Sequence, residues 1–292
     1  MDRWLTSPLK ALLHRPCVTT ASLIGARLEN RIETGQEISE TTLTDEFVDS
    51  FRPQSRFSMW KPVADAIRDE FRFYLNVDVN KSTIEPRTGA DIGLVIRRSV
   101  YAEVQSTAEY AVLIQCKKVD QGGGVEDFFH TVGGSGERQS ALMLSITPAS
   151  FYFLYVPPSL LSGYADQETM AFVIPANNCH VPIWNLGAMP SESIEGRHLT
   201  LDEIAAGGSI LVIPALAVEA QKNQSKAAKL NDILPNAFPF WYWFSEMLIP
   251  GFVGDQSRRV IEVAQNTRRR DLEREGLDFG VRYSITVGLG SG

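Results

Sequence analysis

Three residues have the types and spacing to support hydrolytic chemistry if the fold brings them together: Asp91, Gln115 and Lys117. A hard divalent cation such as Mg²⁺ keeps several waters and takes one or two carboxylates, so one aspartate and an amide oxygen are a sufficient start. A bound cation of that kind offsets charge developing on a phosphate and acidifies water. A lysine beside it can orient or deprotonate the attacking water, or neutralise phosphoryl oxygens. The same residues also admit a plainer account, in which Asp91 caps a turn and Lys117 marks a strand end.

The segments that must position this trio read as two strands. From Asp91 to Arg97, Ile92, Leu94 and Ile96 fall on one face and Asp91, Gly93 and Val95 on the other. From Tyr110 to Lys118 the run is almost continuously apolar, as in an inner strand covered on both sides, and it ends in Gln115-Cys116-Lys117-Lys118. Gln115 and Lys117 share a face and Cys116 takes the other. A polar stretch with Ser99, Glu103, Gln105 and Ser106 suits a hairpin-like connection between the strands.

Gly89-Ala90-Asp91 before one apolar strand, and Gln115-Cys116-Lys117 at the end of the next, resemble the core of the restriction-endonuclease-like superfamily, the PD-(D/E)XK nucleases. The pattern is that of the D…QxK variant, similar to modification-dependent restriction enzymes and to an uncharacterised bacterial family of the same fold. The resemblance implies an α/β fold with a small mixed central sheet flanked by helices. It also implies hydrolysis of phosphodiester bonds in DNA with Mg²⁺, or with Mn²⁺ in its place, and in a bacterial setting defence against foreign DNA. Asp91, Gln115 and Glu40 are the implied metal ligands, with Lys117 beside them.

Glu40 enters because the superfamily's first core helix supplies an acid, and Glu40-x-x-Leu43-Thr44 resembles that position. Leu43, Phe47, Val48 and Phe51 form a stripe at helical spacing, and Thr42 with Asp45 resembles a capping box. An acid at a helix start is equally accounted for by the helix dipole. Glu46, on another face, is the reserve. A helix over 137–146 followed by the aromatic strand Ser150–Val156 matches the superfamily's order and makes Gln139 a candidate to reach the site. A solvent-facing Gln139 fits as well. Lys118 and Arg87 are further candidates for substrate contact, Arg87 and Glu85 also fitting a solvated turn.

Other segments carry less chemistry. Residues 1–36 read as a helical lead-in and Met59–Leu75 as an amphipathic helix, with a strand from Val77 to Ile84. The glycine-rich run after Lys118 lacks the Walker spacing and reads as a mobile loop, with His130 a loop histidine. Ala171–Ile174 and Ile210–Ile213 read as strands, and Val218–Leu230 as a helix or linker. Phe238–Leu248 is very aromatic; such side chains stack on bases but more commonly build a core. Gln256–Glu275 reads as a helix with Arg258, Arg259 and Arg268–Arg270 outward, able to grip phosphate or to form surface ion pairs.

In 292 residues, 44% hydrophobic, there is enough material for a sizeable core. The division expected is a lead-in over 1–36, a nuclease-like core over 37–158 and a C-terminal elaboration over 159–292 packed on it. A net charge of −7 argues against broad wrapping by nucleic acid but leaves local contacts open. Three separated cysteines without a CxxC pair, no apolar leader and no membrane-length apolar run point to a cytoplasmic protein with no membrane partner. DNA is the expected partner, and a homodimer or partner protein is compatible. The alternative is a non-catalytic nucleic-acid- or partner-binding module of the same fold.

Overall fold

The computed structural model describes residues 3–66, 73–82, 88–101, 105–125, 127–131, 136–165, 208–220, 228–267 and 280–291. It is mixed α/β. A seven-stranded mixed sheet runs through the middle, with helices packed on it. The expected small sheet is thus a larger one.

The chain opens with α1 (Arg3–Glu33), whose Leu13, Cys17, Ala21, Ile24 and Leu28 are buried as one stripe at helical spacing. Next comes α2 (Glu40–Ser50), begun by Ser39, whose hydroxyl accepts from the Thr42 N–H at 3.1 Å. That cap replaces the expected Thr42–Asp45 box, because the helix starts earlier and Asp45 is engaged elsewhere. The predicted stripe of Leu43, Phe47, Val48 and Phe51 is buried. After α3 (Lys61–Ala66) the chain enters β1 (Phe73–Lys81), so the helix expected to reach Leu75 ends sooner. Pairing with the C-terminal strand claims Phe73–Leu75 for the sheet.

The hairpin of β2 (Ile92–Tyr101) and β3 (Gln105–Lys118) is antiparallel, with Ile92 opposite Ile114. A short β4 (Gly124–Val125) follows, then α4 (Gln139–Ile146), β5 (Ser150–Tyr155) parallel to β3, and α5 (Pro158–Ala165). Beyond these lie β6 (Ile210–Pro214), α6 (Ala215–Glu219), β7 (Ala228–Lys229), α7 (Leu230–Ile233) and β8 (Phe238–Pro239). A helix α8 (Phe240–Tyr242) widens into a π-helical turn over Trp243–Leu248 and precedes α9 (Arg258–Ala264) and β9 (Tyr283–Ser291).

The sheet order is β1-β9-β2-β3-β5-β6-β8. The C-terminal stretch therefore enters the sheet itself: β9 lies between β1 and β2, parallel to β2, and β6 and β8 extend the other side. Val218–Leu230 contributes the end of α6 and the strand β7, which pairs with β4, with 221–227 outside the described residues. The helix expected through Glu275 stops at Ala264; Asn266, at φ 54°, turns the chain, and its side-chain amide donates to and accepts from the Val281 backbone. Arg268–Arg270 and Ala171–Ile174 lie outside the described residues.

Register assigns the two faces. Gln115 pairs with Tyr152 and Lys117 with Leu154, so these four share one face, while Cys116, Phe153, Ile114 and Phe151 share the other. On the Cys116 face the aromatic stretch forms core, as its composition suggested: Phe153 meets Phe47, Phe240 and Trp243 edge-on at centroid distances of 5.2–5.7 Å. On the Gln115 face α9 packs on β2 and β3. That approach is close at Gly93, where a side-chain carbon would stand 2.3 Å from the Ala264 carbonyl oxygen.

Replacing Gly93 with alanine is expected to cost about 3 kcal/mol, since backbone must move to admit the methyl. Gly288→Ala in β9, whose nearest neighbour would be 3.6 Å away, is expected to cost under about 1 kcal/mol. Urea unfolding of the two variants beside the wild type measures the contrast.

Candidate functional site

Asp91 sits in the bend that delivers the chain into β2. Gly89 takes φ 74°, and its backbone lies so near α4 that a side-chain carbon there would be 2.9 Å from the Gln139 carbonyl oxygen. Thr88 braces the bend by accepting from the Ala90 N–H at 3.1 Å and donating to the Gly280 carbonyl at 2.9 Å. The Asp91 backbone is then pinned from both sides: its N–H donates to Ile114 at 2.9 Å and its carbonyl accepts from Tyr283 at 2.8 Å.

This fixes the carboxylate over the end of β3. Asp91 Oδ2 accepts from the Gln115 side-chain Nε2 at 2.7 Å and from the Cys116 N–H at 3.0 Å. Gln115 Nε2 also lies 3.1 Å from the Cys116 carbonyl oxygen. Two positions on, the Lys117 ammonium lies 4.0 Å from Glu40 Oε1, at the first residue of α2. Asp91, Gln115, Lys117 and Glu40 are thus brought together where β2 begins, β3 ends and α2 starts. Lys117 and Gln115 are only 5% and 4% exposed, whereas the Glu40 side chain keeps 34% of its surface open. The cluster opens to solvent on the α2 side.

Burial dominates its electrostatics. The Glu40 carboxyl is pushed up to about 7, first by burial and further by the neighbouring Asp91 charge, with Lys117 and the Lys118 backbone pulling it back. Asp91 is also raised by burial, against the opposing Cys116 N–H and the charges of Lys117 and Arg282.

The oxygens available are two carboxylates, one amide and the Cys116 carbonyl. Among the described residues no group of three or more His, Cys, Asp or Glu side chains comes together in a metal-binding arrangement. The donor set fits a hard cation that retains much of its water, and does not suit zinc. Gln115 Nε2, a hydrogen-bond donor, stands between Asp91 Oδ2 and the Cys116 carbonyl oxygen. Turning the Gln115 amide would add its own oxygen to them.

The chain matches no family model, no curated protein and no solved structure.

The remaining candidates are dispersed. Gln139 opens α4 beside the Gly89 bend, and its Oε1 is buried without a hydrogen-bond partner. Lys118 is turned to the segment ahead of α2, donating to the Ile38 carbonyl at 3.1 Å and lying 3.5 Å from Glu37. Glu46 pairs with Arg27 at 3.1 Å, away from the cluster. Arg87 and Glu85 lie outside the described residues, as do Cys179 and His180. The loop after Lys118 is more fixed than expected: the Asp120 carboxylate accepts from the N–H groups of Gly122 and Gly124, both at 2.8 Å, and Phe128 and Phe129 are buried. His130 is exposed and its carbonyl accepts from the Gln139 N–H. A groove of about 840 Å³ lies on the α1 side of α2, lined by Leu23, Phe57, Asp45, Lys81 and Tyr283, but none of Asp91, Gln115 or Lys117 lines it.

Two contributors escaped the sequence reading. The Cys116 backbone, which donates to Asp91, was legible in principle from the register of the two strands. Arg282, whose charge acts on Asp91, was not, because nothing local marks the residue before β9 as a neighbour of Asp91.

An acid raised above its unfolded value binds its proton more tightly when folded, so its contribution is present at low pH and is lost as pH rises through the folded value. For Glu40 the loss falls between its ordinary 4.5 and about 7. Solvent around the half-open side chain screens the effect to about 1–2 kcal/mol. Glu40→Gln is expected to flatten that part of the stability-versus-pH curve and to be the more stable form at about pH 8, measured by urea unfolding across the range.

Proposed function

We propose that the chain hydrolyses phosphodiester bonds in DNA with a divalent cation, Mg²⁺ or Mn²⁺, on a restriction-endonuclease-like fold. The observation that carries this reading is the meeting of Asp91, Gln115, Lys117 and Glu40 at one end of the sheet, from β2, β3 and α2. A lysine only 5% exposed beside two acids is an arrangement that functional sites favour.

Asp91, Glu40, the Gln115 amide oxygen and the Cys116 carbonyl are the groups that would hold the cation. Once bound, it would supply positive charge against the phosphoryl oxygens and make nearby water more acidic. The protein's own groups do the rest. Lys117, held by Glu40 and by its burial, donates hydrogen bonds to the attacking water or to a non-bridging oxygen, in a site where such bonds are little screened. With Glu40 ionised as a ligand of the cation, the attacking water would lose its proton to the surrounding solvent. The water oxygen bonds to phosphorus, the bond from phosphorus to the leaving sugar oxygen breaks, and that oxygen takes up a proton. Before a cation binds, Gln115 Nε2 holds the Asp91 carboxylate in place, and Gly89 and Thr88 keep the bend that presents it.

A second reading, a non-catalytic module of the same fold, draws on the depth of Gln115 and Lys117, which a purely structural ion pair would share.

Plasmid and linear DNA incubated with Mg²⁺, Mn²⁺ or EDTA separate the two. The nuclease reading expects cation-dependent cleavage that falls at least about 100-fold in Lys117→Ala and Asp91→Asn, with both variants still folded and still binding DNA. Binding without cleavage by any form, on unmodified, modified, branched and single-stranded DNA, favours the module.

A further inference from the structure

Arg282 lies against the candidate site through the backbone. Its successor Tyr283 donates its N–H to the Asp91 carbonyl at 2.8 Å, and the Arg282 carbonyl accepts from the Ser82 N–H at 2.8 Å. The residue is therefore held between the end of β1 and the start of β2. Its guanidinium reaches toward α2, where Nη1 donates to the Thr41 hydroxyl at 3.2 Å, one residue from Glu40. The charge is felt at the site, where it helps hold the buried Asp91 carboxyl down.

What sets it apart is its pairing. Lys117 lies against Glu40 at 4.0 Å, Lys118 against Glu37 at 3.5 Å and Lys81 against Asp45 at 3.0 Å. Arg282 has no carboxylate within 4.0 Å among the described residues, its charge acting on Asp91 and Asp45 only from farther off, and it spends a donor on a neutral hydroxyl. A guanidinium carries five N–H donors in a planar fork, so most of its capacity remains for an oxyanion. In a chain of net charge −7, a polyanion can approach only where local cations are not already neutralised.

We infer that Arg282, supported by the Thr41 hydroxyl, forms a subsite for a backbone phosphate of DNA adjoining the phosphodiester that is cut. The inference rests on the proposed nuclease reading and adds a positioning residue to it. Arg282 takes two non-bridging oxygens of one phosphate side by side, which fixes the strand relative to Asp91 and Lys117. Thr41 keeps the fork oriented before substrate arrives.

The test is equilibrium binding of a fluorescent DNA duplex, read by anisotropy over a series of salt concentrations with Ca²⁺ in place of Mg²⁺, for wild type, Arg282→Gln and Arg282→Lys. Inorganic phosphate serves as competitor. Each variant's folding is checked by its unfolding midpoint. Arg282→Gln is expected to bind about tenfold more weakly, with the slope of log K against log salt reduced by about 0.9. Arg282→Lys, which keeps the charge without the fork and is the variant least prone to misfold, is expected to retain the slope and lose part of the affinity. Wild-type affinity and slope in either folded variant overturn the subsite while leaving the nuclease reading intact. Displacement of DNA by inorganic phosphate near the wild-type dissociation constant overturns it in favour of a free-phosphate site. A wild type that neither binds nor cuts DNA removes the nuclease reading, and this inference with it.

Discussion

A buried ammonium and two half-buried carboxylates share one recess, and the cost of keeping charge there governs how the surrounding structure is built. A buried charge is tolerated only with partners at bonding distance. Asp91 finds them in the Gln115 amide and the Cys116 N–H, both supplied by β3, so its position depends on the β2–β3 register. A slip of one residue would turn Gln115 and Lys117 to the opposite face and leave Asp91 without either. The continuous burial of Tyr110–Lys117 prevents that slip, and the parallel pairing to β5 locks the strand from its other side.

The second acid depends on a different layer. Glu40 reaches Lys117 only because α2 is held at a fixed height over the sheet, and the aromatic packing of Phe47 and Phe51 against Phe153, Phe240 and Phe244 sets that height. Behind the site, the Tyr155 hydroxyl lies 3.3 Å from the Thr44 hydroxyl and 3.4 Å from the Cys116 sulfur, linking α2 to β3 below the ion pair. The aromatic stretch that composition alone would also allow to stack on bases thus serves the site from the core.

The parts of this arrangement written into local pattern were legible in the sequence. Strand periodicity located β2 and β3 and put Gln115 and Lys117 on one face, and the apolar stripe located α2, with the family resemblance pointing to Glu40 ahead of it. What escaped depends on partners far along the chain. Phe73–Leu75 is strand because β9 pairs with it, and β9 enters between β1 and β2 from the last residues described. Arg282 is close to Asp91 only through that insertion. Lys118, a candidate for substrate contact, is sent by strand alternation to the Glu37 and Ile38 side. The end of α9 at Ala264 follows from the Asn266 turn, which overrides a run that continues helix-compatible in sequence.

The proposed hydrolysis requires a divalent cation in this recess. Crystals grown with Mn²⁺ and measured at a wavelength where manganese scatters anomalously test it most directly. One anomalous peak is expected about 2.2 Å from an Asp91 carboxylate oxygen and from the Cys116 carbonyl, with the Gln115 amide turned to present its oxygen, and no such peak in Asp91→Asn. Manganese bound only elsewhere, with Gln115 Nε2 still on Asp91 at saturating Mn²⁺, would contradict it.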